Sequence, residues 1–216
     1  MFDYKEILSS GIIITPMQEE HAEQLEALQR IVFPNLVEEE LLHAPQYKAH
    51  VQLFPEGQFV AMDGDKVIGA TSSTRYHFDI NHQEHHTFFE IMGGGWFTTH
   101  DPQGEWLYGM DVSVHPDYRG KGVARALYRA RQYTCKQLGL KGQMTVGMLN
   151  GYSSVQNEMS IDEYYEKVKA HELFDPTVSV QEKIGFKIAG LMKDYLNDVT
   201  CGNAGAVIVL DSSFTI

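Results

Sequence analysis

Six consecutive residues, Arg119-Gly120-Lys121-Gly122-Val123-Ala124, carry the most informative chemistry in the sequence. Just before them, residues 105–114 read as an apolar strand that ends at His115-Pro116. Just after them, Val123, Ala126, Leu127, Ala130 and Tyr133 recur at helical spacing until Gly139 stops the helix. A strand feeding a glycine loop that opens a helix suits a diphosphate, because the first helical turn leaves backbone N–H groups without partners. Gly120 and Gly122 put no side chain in the ligand's way, and Arg119 and Lys121 add positive charge. A glycine pair alone is equally consistent with an ordinary tight turn, so the flanking residues decide.

The elements around this loop form one unbroken series. A strand near residues 11–16 precedes a helix over 19–33, in which Ala22, Leu25, Leu28 and Val32 share a face. A second helical stretch over 37–51 is expected to break at Pro45. Strands over 58–62 and 67–76 flank an Asp63-Gly64-Asp65-Lys66 turn. Residues 77–105, rich in His, Gly and aromatics, read as a surface excursion with a short strand near 87–92, and Gly93-Gly94-Gly95 as a flexible turn at the acceptor cleft. Strands at 143–148, 186–191 and 205–211, a partly helical stretch at 153–176 and a helix at 177–184 complete the chain. The 216 residues fit one domain, 1–216.

Composition excludes several classes. Lys and Arg total 17 against 29 Asp and Glu, a net charge of −12, which disfavours nucleic acid and favours cationic partners. No apolar run is long enough for a membrane helix and no secretory leader pattern opens the sequence, so a cytoplasmic location is the expectation. Cys135 and Cys201 are expected to be free thiols. His77, His82, His85 and His86 lack the H-E-x-x-H spacing or cysteine partners of a metal site, so no metal is expected and they read as a solvent-facing segment.

The stretch Val112-Ser113-Val114-His115-Pro116-Asp117-Tyr118 followed by the glycine loop resembles the acetyl-CoA motif of the GNAT (general control N-acetyltransferase-related) superfamily, Gln/Arg-x-x-Gly-x-Gly/Ala. Arg119, Gly122 and Ala124 fill its three defining places, and Gln181-Glu182-Lys183-Ile184-Gly185-Phe186 resembles the family's later helix-to-strand signature. More narrowly, Leu107-Tyr108-Gly109-Met110-Asp111 and Glu172-Leu173-Phe174-Asp175-Pro176 resemble GNAT domains fused to nitrilase-like amidohydrolases. The resemblance implies an α/β (α+β) GNAT fold: a mixed, mostly antiparallel sheet of six or seven strands with flanking helices and a splayed strand pair that holds the cofactor. It implies acetyl-CoA as co-substrate. Backbone groups of Val112, Ser113 and Val114 would lie along the pantetheine arm, with a backbone N–H near Val112 polarising the thioester carbonyl. Gly120, Lys121, Gly122, Val123 and Ala124 would hold the diphosphate, and Asn150 would lie near the cofactor.

An acceptor amine with a pKa near 10.4 is neutral in only about one molecule in 2,500 at pH 7, a cost of roughly 4.6 kcal/mol, so the site must take a proton. The family places that group on the strand before the loop, which points to Tyr108 and then Asp111. Strand alternation sets those two on opposite faces unless a bulge intervenes. Asp111 reads equally well as a buried carboxylate tied to backbone N–H groups. The family's acid, often a tyrosine before Glu-Lys-x-Gly-Phe, is replaced by Gln181, so either Tyr152, Tyr164 or Tyr165 protonates the leaving thiolate, Tyr152 first, or the thiolate leaves without a dedicated acid, which its modest basicity permits. The expected reaction is N-acetylation of a small cationic amine. The competing expectations are a non-catalytic acyl-CoA sensor and an acetyltransferase for protein N-termini or lysines, and a late strand offers an edge for a homodimer.

Overall fold

The computed structural model describes residues 3–216. In chain order the elements are β1 (Glu6–Ile7), β2 (Ile13–Pro16), α1 (Ala22–Val32), α2 (Ala44–Leu53), β3 (Phe59–Asp63), β4 (Lys66–Tyr76) and α3 (Phe88–Ile91), then β5 (Trp106–Val114), α4 (Val123–Gln137), β6 (Gly142–Met148), α5 (Ile161–Lys169), α6 (Val178–Ile184), β7 (Lys187–Met192) and β8 (Gly205–Asp211). The strands form one eight-stranded sheet in the order β1-β2-β3-β4-β5-β6-β8-β7. Every pairing is antiparallel except β5 with β6, which is parallel. The eighth strand relative to expectation is β1, a two-residue edge too short to read from sequence periodicity.

Helices cover both faces. On one, Leu25 and Leu28 of α1 and Tyr47 and Val51 of α2 pack with Tyr108, Met110, Met144 and Val146. On the other, Val123, Ala126, Leu127 and Ala130 of α4 pack on Ile14, Phe59, Ile68 and Val114. The loop after α4 turns at Gly139, whose φ of 63° requires the left-handed region.

Two expected elements differ. Pro45 does not break a helix: it sits in the first turn of α2, where its missing N–H costs nothing, and its fixed φ helps start the helix. Residues 87–92 form no strand but the short helix α3, because Thr87 caps the Glu90 N–H at 3.1 Å while the Glu90 carboxylate accepts the Thr87 N–H at 2.8 Å. The Gly93–Gly95 turn is held to α2, since Gln46 Nε2 donates to Gly94 O at 3.0 Å and His50 Nε2 to Gly95 O at 2.7 Å.

His50 stacks on Phe97 with ring centroids 3.6 Å apart and is fully buried. Its Nδ1 has no partner among the described residues, and burial pushes its pKa down to about 4. The fold therefore holds His50 neutral. The stability this gives is complete above the unfolded value near 6.5 and is lost as pH falls towards 4, by about 3 kcal/mol. Unfolding free energies from urea titrations at pH 7 to 4 should fall by that much more in the wild type than in His50→Gln; parallel profiles would refute the assignment.

Candidate functional site

The site is built where β5 and β6 part. Their parallel register runs from Trp106 opposite Gly142 to Gly109 opposite Thr145, and there it stops. Beyond it, β5 continues on β4 and β6 continues on β8, so the two strands diverge with unpaired edges facing each other. Thr145 Oγ1 closes the paired end by donating to Gly109 O at 2.7 Å. An extended amide chain can enter such a gap as an added strand.

A bulge lies at the point of divergence. Ser72 pairs with Asp111 and Ser73 with Gly109, so Met110 is an extra residue on β5. It reverses the alternation: Tyr108 and Met110 pack on the α1/α2 side, and Asp111 also turns to that side, reaching Gln29 of α1. The bulge that the sequence needed for Tyr108 and Asp111 to share a face is present. It is clamped from both sides. From the α1 side the Asp111 carboxylate accepts Ser72 N–H at 2.7 Å, Gln29 Nε2 at 3.0 Å and Ser113 Oγ at 3.1 Å. From the α4 side the buried guanidinium of Arg131 donates to the main-chain oxygens of Asp111 and of Ser72, the latter at 3.2 Å. Gly109 must be glycine, since a Cβ there would lie 2.0 Å from Arg131 Nη1. Burial raises the Asp111 pKa, opposed by the positive charge of Arg131 and by those hydrogen bonds.

Beyond the bulge, Val112 and Val114 pack on the α4 side. Ser113 turns its hydroxyl away to Asp111. The glycine loop follows. Gly120 and Gly122 adopt φ of 75° and 81°, and a Cβ on either would meet nothing within 4 Å. Gly122 is the N-cap of α4, a 15-residue helix with no side chain capping it, and the first helical bond runs from Ala126 N–H to Gly122 O. The N–H groups of Val123, Ala124 and Arg125 thus precede the first helical hydrogen bond, with the helix dipole behind them. Arg119 and Lys121 are exposed beside them, and Lys121 Nζ lies 4.7 Å from the Tyr118 ring, whose hydroxyl donates to Asp63 at 2.7 Å. Left-handed glycines, free donors and surrounding cations fit the diphosphate of acetyl-CoA. Asn150, beyond the end of β6, donates to Thr177 Oγ1 at 2.8 Å and so joins the far side of the gap to the start of α6.

The remaining tyrosines are sorted by their partners. Tyr152 donates to Met159 O at 3.2 Å with its ring against Tyr164, and Tyr164 donates to Asp175 at 3.0 Å. Both hydroxyls serve packing and turn closure. Gln181 is buried, and its Oε1 rests against Gly147, where a Cβ would come within 2.5 Å. That is two residues past the last β5–β6 pair. Gln181 Nε2 donates to Tyr128 Oη of α4 at 2.7 Å, which puts a phenol beside the place where the family often has one. On the opposite side of the sheet Tyr108 Oη lies 2.8 Å from His86 Nε2 and 3.3 Å from Tyr195 Oη. His86 also lines a cavity of about 630 Å³ with Asp79, Glu84, Glu105, His77 and Lys141.

Tyr128, Tyr195 and Arg131 carry no expectation from the sequence, and His86 is expected there only in a solvent-facing run. For Arg131 a signal existed, since it lies four residues after Leu127 and falls on the buried stripe of α4. His86 and Tyr128 meet partners 22 and 53 residues away, which no local pattern reveals. No cluster of His, Cys, Asp or Glu suited to a metal ion occurs among the described residues, nor any helix long and apolar enough to cross a membrane. Both cysteines are buried and unpaired.

Among solved structures, the loading GNATL domain of CurA from Lyngbya majuscula superposes with a TM-score of 0.78 at 21% identity, covering 93% of this chain and 98% of that one. The GphF GNAT-like decarboxylase in complex with isobutyryl-CoA gives 0.75 at 18% identity, covering 92% and 98%. At those identities the likeness is one of fold. In sequence, the chain is 28% identical to the uncharacterized N-acetyltransferase YkwB of Bacillus subtilis (strain 168), over 92% of this chain and 88% of that protein. It is 33% identical to the probable hydrolase YhcX of the same organism over 88% of its own length, but spans only 36% of that relative. Residues 22–153, from the start of α1 past the loop and β6, match the Acetyltransferase (GNAT) family. With the splayed strands and the uncapped glycine loop beside it, that match places this chain in the GNAT family.

Proposed function

We propose that the chain transfers the acetyl group of acetyl-CoA directly to a primary amine, and that the acceptor is a small cationic amine. The observation that carries the reading is the parting of β5 and β6 after Gly109 and Thr145, next to the free first turn of α4. In this reading the thioester lies across the bulge with its diphosphate on the Gly120–Ala124 loop. Val112 supplies the main-chain N–H for the carbonyl oxygen, with Val114 and Asn150 along the arm. A cationic acceptor is supported by the cavity lined by His86, which presents the carboxylates of Asp79 and Glu84, while that of Glu105 is paired with Lys141 at 3.1 Å. Asp111, tied by three hydrogen bonds, holds the bulge, and Tyr108 meets the amine's proton.

On the α4 side, Tyr128 takes the acid role that Gln181 cannot fill, its hydroxyl held by the glutamine amide. Tyr128→Phe should lower kcat roughly tenfold with the KM for acetyl-CoA unchanged, measured by release of free thiol. An unchanged kcat would return that role to water. Kinship with GNAT domains joined to nitrilase-like amidohydrolases is supported by the match to one part of the longer probable hydrolase YhcX.

The test is turnover of acetyl-CoA against diamines, lysine esters and peptides with free N-termini, read as thiol release and as amide mass. Acetylation of diamines is expected. Preference for peptides would favour a protein acceptor, and binding of acetyl-CoA with no acetylated amine would replace the reading with that of a sensor.

A further inference from the structure

We infer that His86 is the proton acceptor of the transfer, acting through the hydroxyl of Tyr108. The inference rests on the amine-acetylation reading above. Tyr108 alone is a poor base. It is fully buried, and burial raises its pKa well above 10, so at neutral pH it is a phenol with a proton to give up before it can take one.

The hydrogen bonds around it supply the missing acceptor. His86 Nδ1 lies 3.1 Å from Glu84 O, a carbonyl that can only accept, so Nδ1 carries the ring proton. Nε2 is then bare, and it faces Tyr108 Oη at 2.8 Å. The phenol therefore donates to His86, and its remaining lone pair faces Tyr195 Oη at 3.3 Å, a long contact that an incoming N–H would replace. A hydroxyl bonded to an imidazole whose far nitrogen is fixed by a main-chain oxygen is the arrangement that lets a weakly acidic hydroxyl pass a proton on.

Burial also lowers the His86 pKa, which keeps the ring neutral and ready to accept near pH 7. The groups facing it are few. Glu90 of α3 raises that pKa and the neighbouring His85 lowers it, while Tyr76 of β4, Tyr108 of β5 and Tyr195 after β7 present aromatic rings. Through the cavity it also faces Asp79, His82, Glu84, Glu105, His77 and Lys141.

The acceptor's ammonium group first gives up one proton to water; the neutral amine nitrogen then bonds to the thioester carbonyl carbon and the carbon–sulfur bond breaks, its electron pair leaving on sulfur. The nitrogen's proton passes to Tyr108 Oη as the phenol's own proton passes to His86 Nε2, so Tyr108 ends neutral. His86 then releases its proton to water in the cavity. The thiolate takes up a proton on the Tyr128 side, and that phenol is recharged from water. The products are the amide and CoA thiol.

The test is the pH profile of kcat/KM with the best amine of the panel. The wild type should lose activity at acid pH with a limb below the ordinary histidine value. His86→Gln should lower kcat roughly 100-fold, leave the KM for acetyl-CoA unchanged and abolish that limb. In His86→Ala, added imidazole should restore part of the rate, which a merely structural histidine would not allow. Tyr108→Phe should cost about as much as His86→Gln, and the double variant no more than either. A wild-type limb retained in His86→Gln, or no rescue by imidazole, overturns the relay while leaving amine acetylation intact. Failure of the wild type to acetylate any amine removes both. Independently of turnover, nitrogen-15 spectra should show His86 neutral at pH 7 with Nδ1 protonated; a charged ring or the opposite tautomer overturns the relay.

Discussion

Gly122→Asp is expected to weaken acetyl-CoA binding by roughly 100-fold while leaving the folded state close to its original stability. Gly122 has φ of 81°, so a side chain there costs about 1–2 kcal/mol of backbone strain, less for aspartate than for most residues. Against that strain, aspartate is a preferred N-cap, and its carboxylate accepts from the N–H groups of the first turn, a gain of about 1 kcal/mol. The helix dipole adds a further few tenths. The two effects nearly cancel, and the space a Cβ would enter holds no protein atom. Binding has no such compensation. The carboxylate occupies the donors that α4 otherwise presents, and places a negative charge where the proposed diphosphate would sit. Losing two charge-assisted hydrogen bonds at about 1.5 kcal/mol each gives the 100-fold figure. Calorimetric titration with acetyl-CoA, beside a thermal melt, separates the two quantities. An affinity within threefold of wild type in a folded variant would show that the diphosphate lies elsewhere.

The parts of the site legible in the sequence were those whose signal is local. The loop could be read because a strand, two glycines and an amphipathic helix follow one another without a gap, and the structure keeps them in that order. The face shared by Tyr108 and Asp111 was legible only as a condition. Alternation forbade it without a bulge, and the bulge depends on Ser72 and Ser73 of the neighbouring strand and on Arg131 of α4, none of them near in sequence. The segment 77–86 looked like a solvent-facing histidine run because its composition is polar. One of its four histidines turns inward, and what turns it is the Tyr108 hydroxyl together with the rings of Tyr76 and Tyr195. Likewise Tyr152 ranked first as an acid because it follows β6 directly, yet its hydroxyl is drawn off by Met159 O, and the phenol beside Gln181 comes from a helix 53 positions earlier. The α3 helix is the exception, since its Thr87 and Glu90 form a capping pair visible in the sequence.

Arg131→Met should destabilise the protein by about 3–5 kcal/mol, which for a domain of ordinary stability is a third or more of the total. The guanidinium is 1% exposed and the Asp111 carboxylate 8%. Burial works against both charges, raising the acid's pKa and lowering the base's, and each is the other's compensating charge across the bulge. Methionine fills much of the same volume, so the loss is electrostatic rather than a cavity. It leaves the main-chain oxygens of Asp111 and Ser72 short of a donor and a buried carboxylate without its counter-charge. Asp111→Asn added to Arg131→Met should recover part of the loss, because the amide keeps an oxygen for the Ser72 N–H and carries no charge to strand. Denaturant unfolding of the wild type, the two single variants and the double variant gives the coupling directly. A single-variant loss under about 1 kcal/mol, or a double variant no better than Arg131→Met, would mean that the bulge does not depend on this pair. Should the loss appear as expected, the same cycle repeated on acetyl-CoA affinity has a defined outcome. The strands part next to the residue that Arg131 grips, so a loosened bulge should also weaken the gap proposed to receive the thioester.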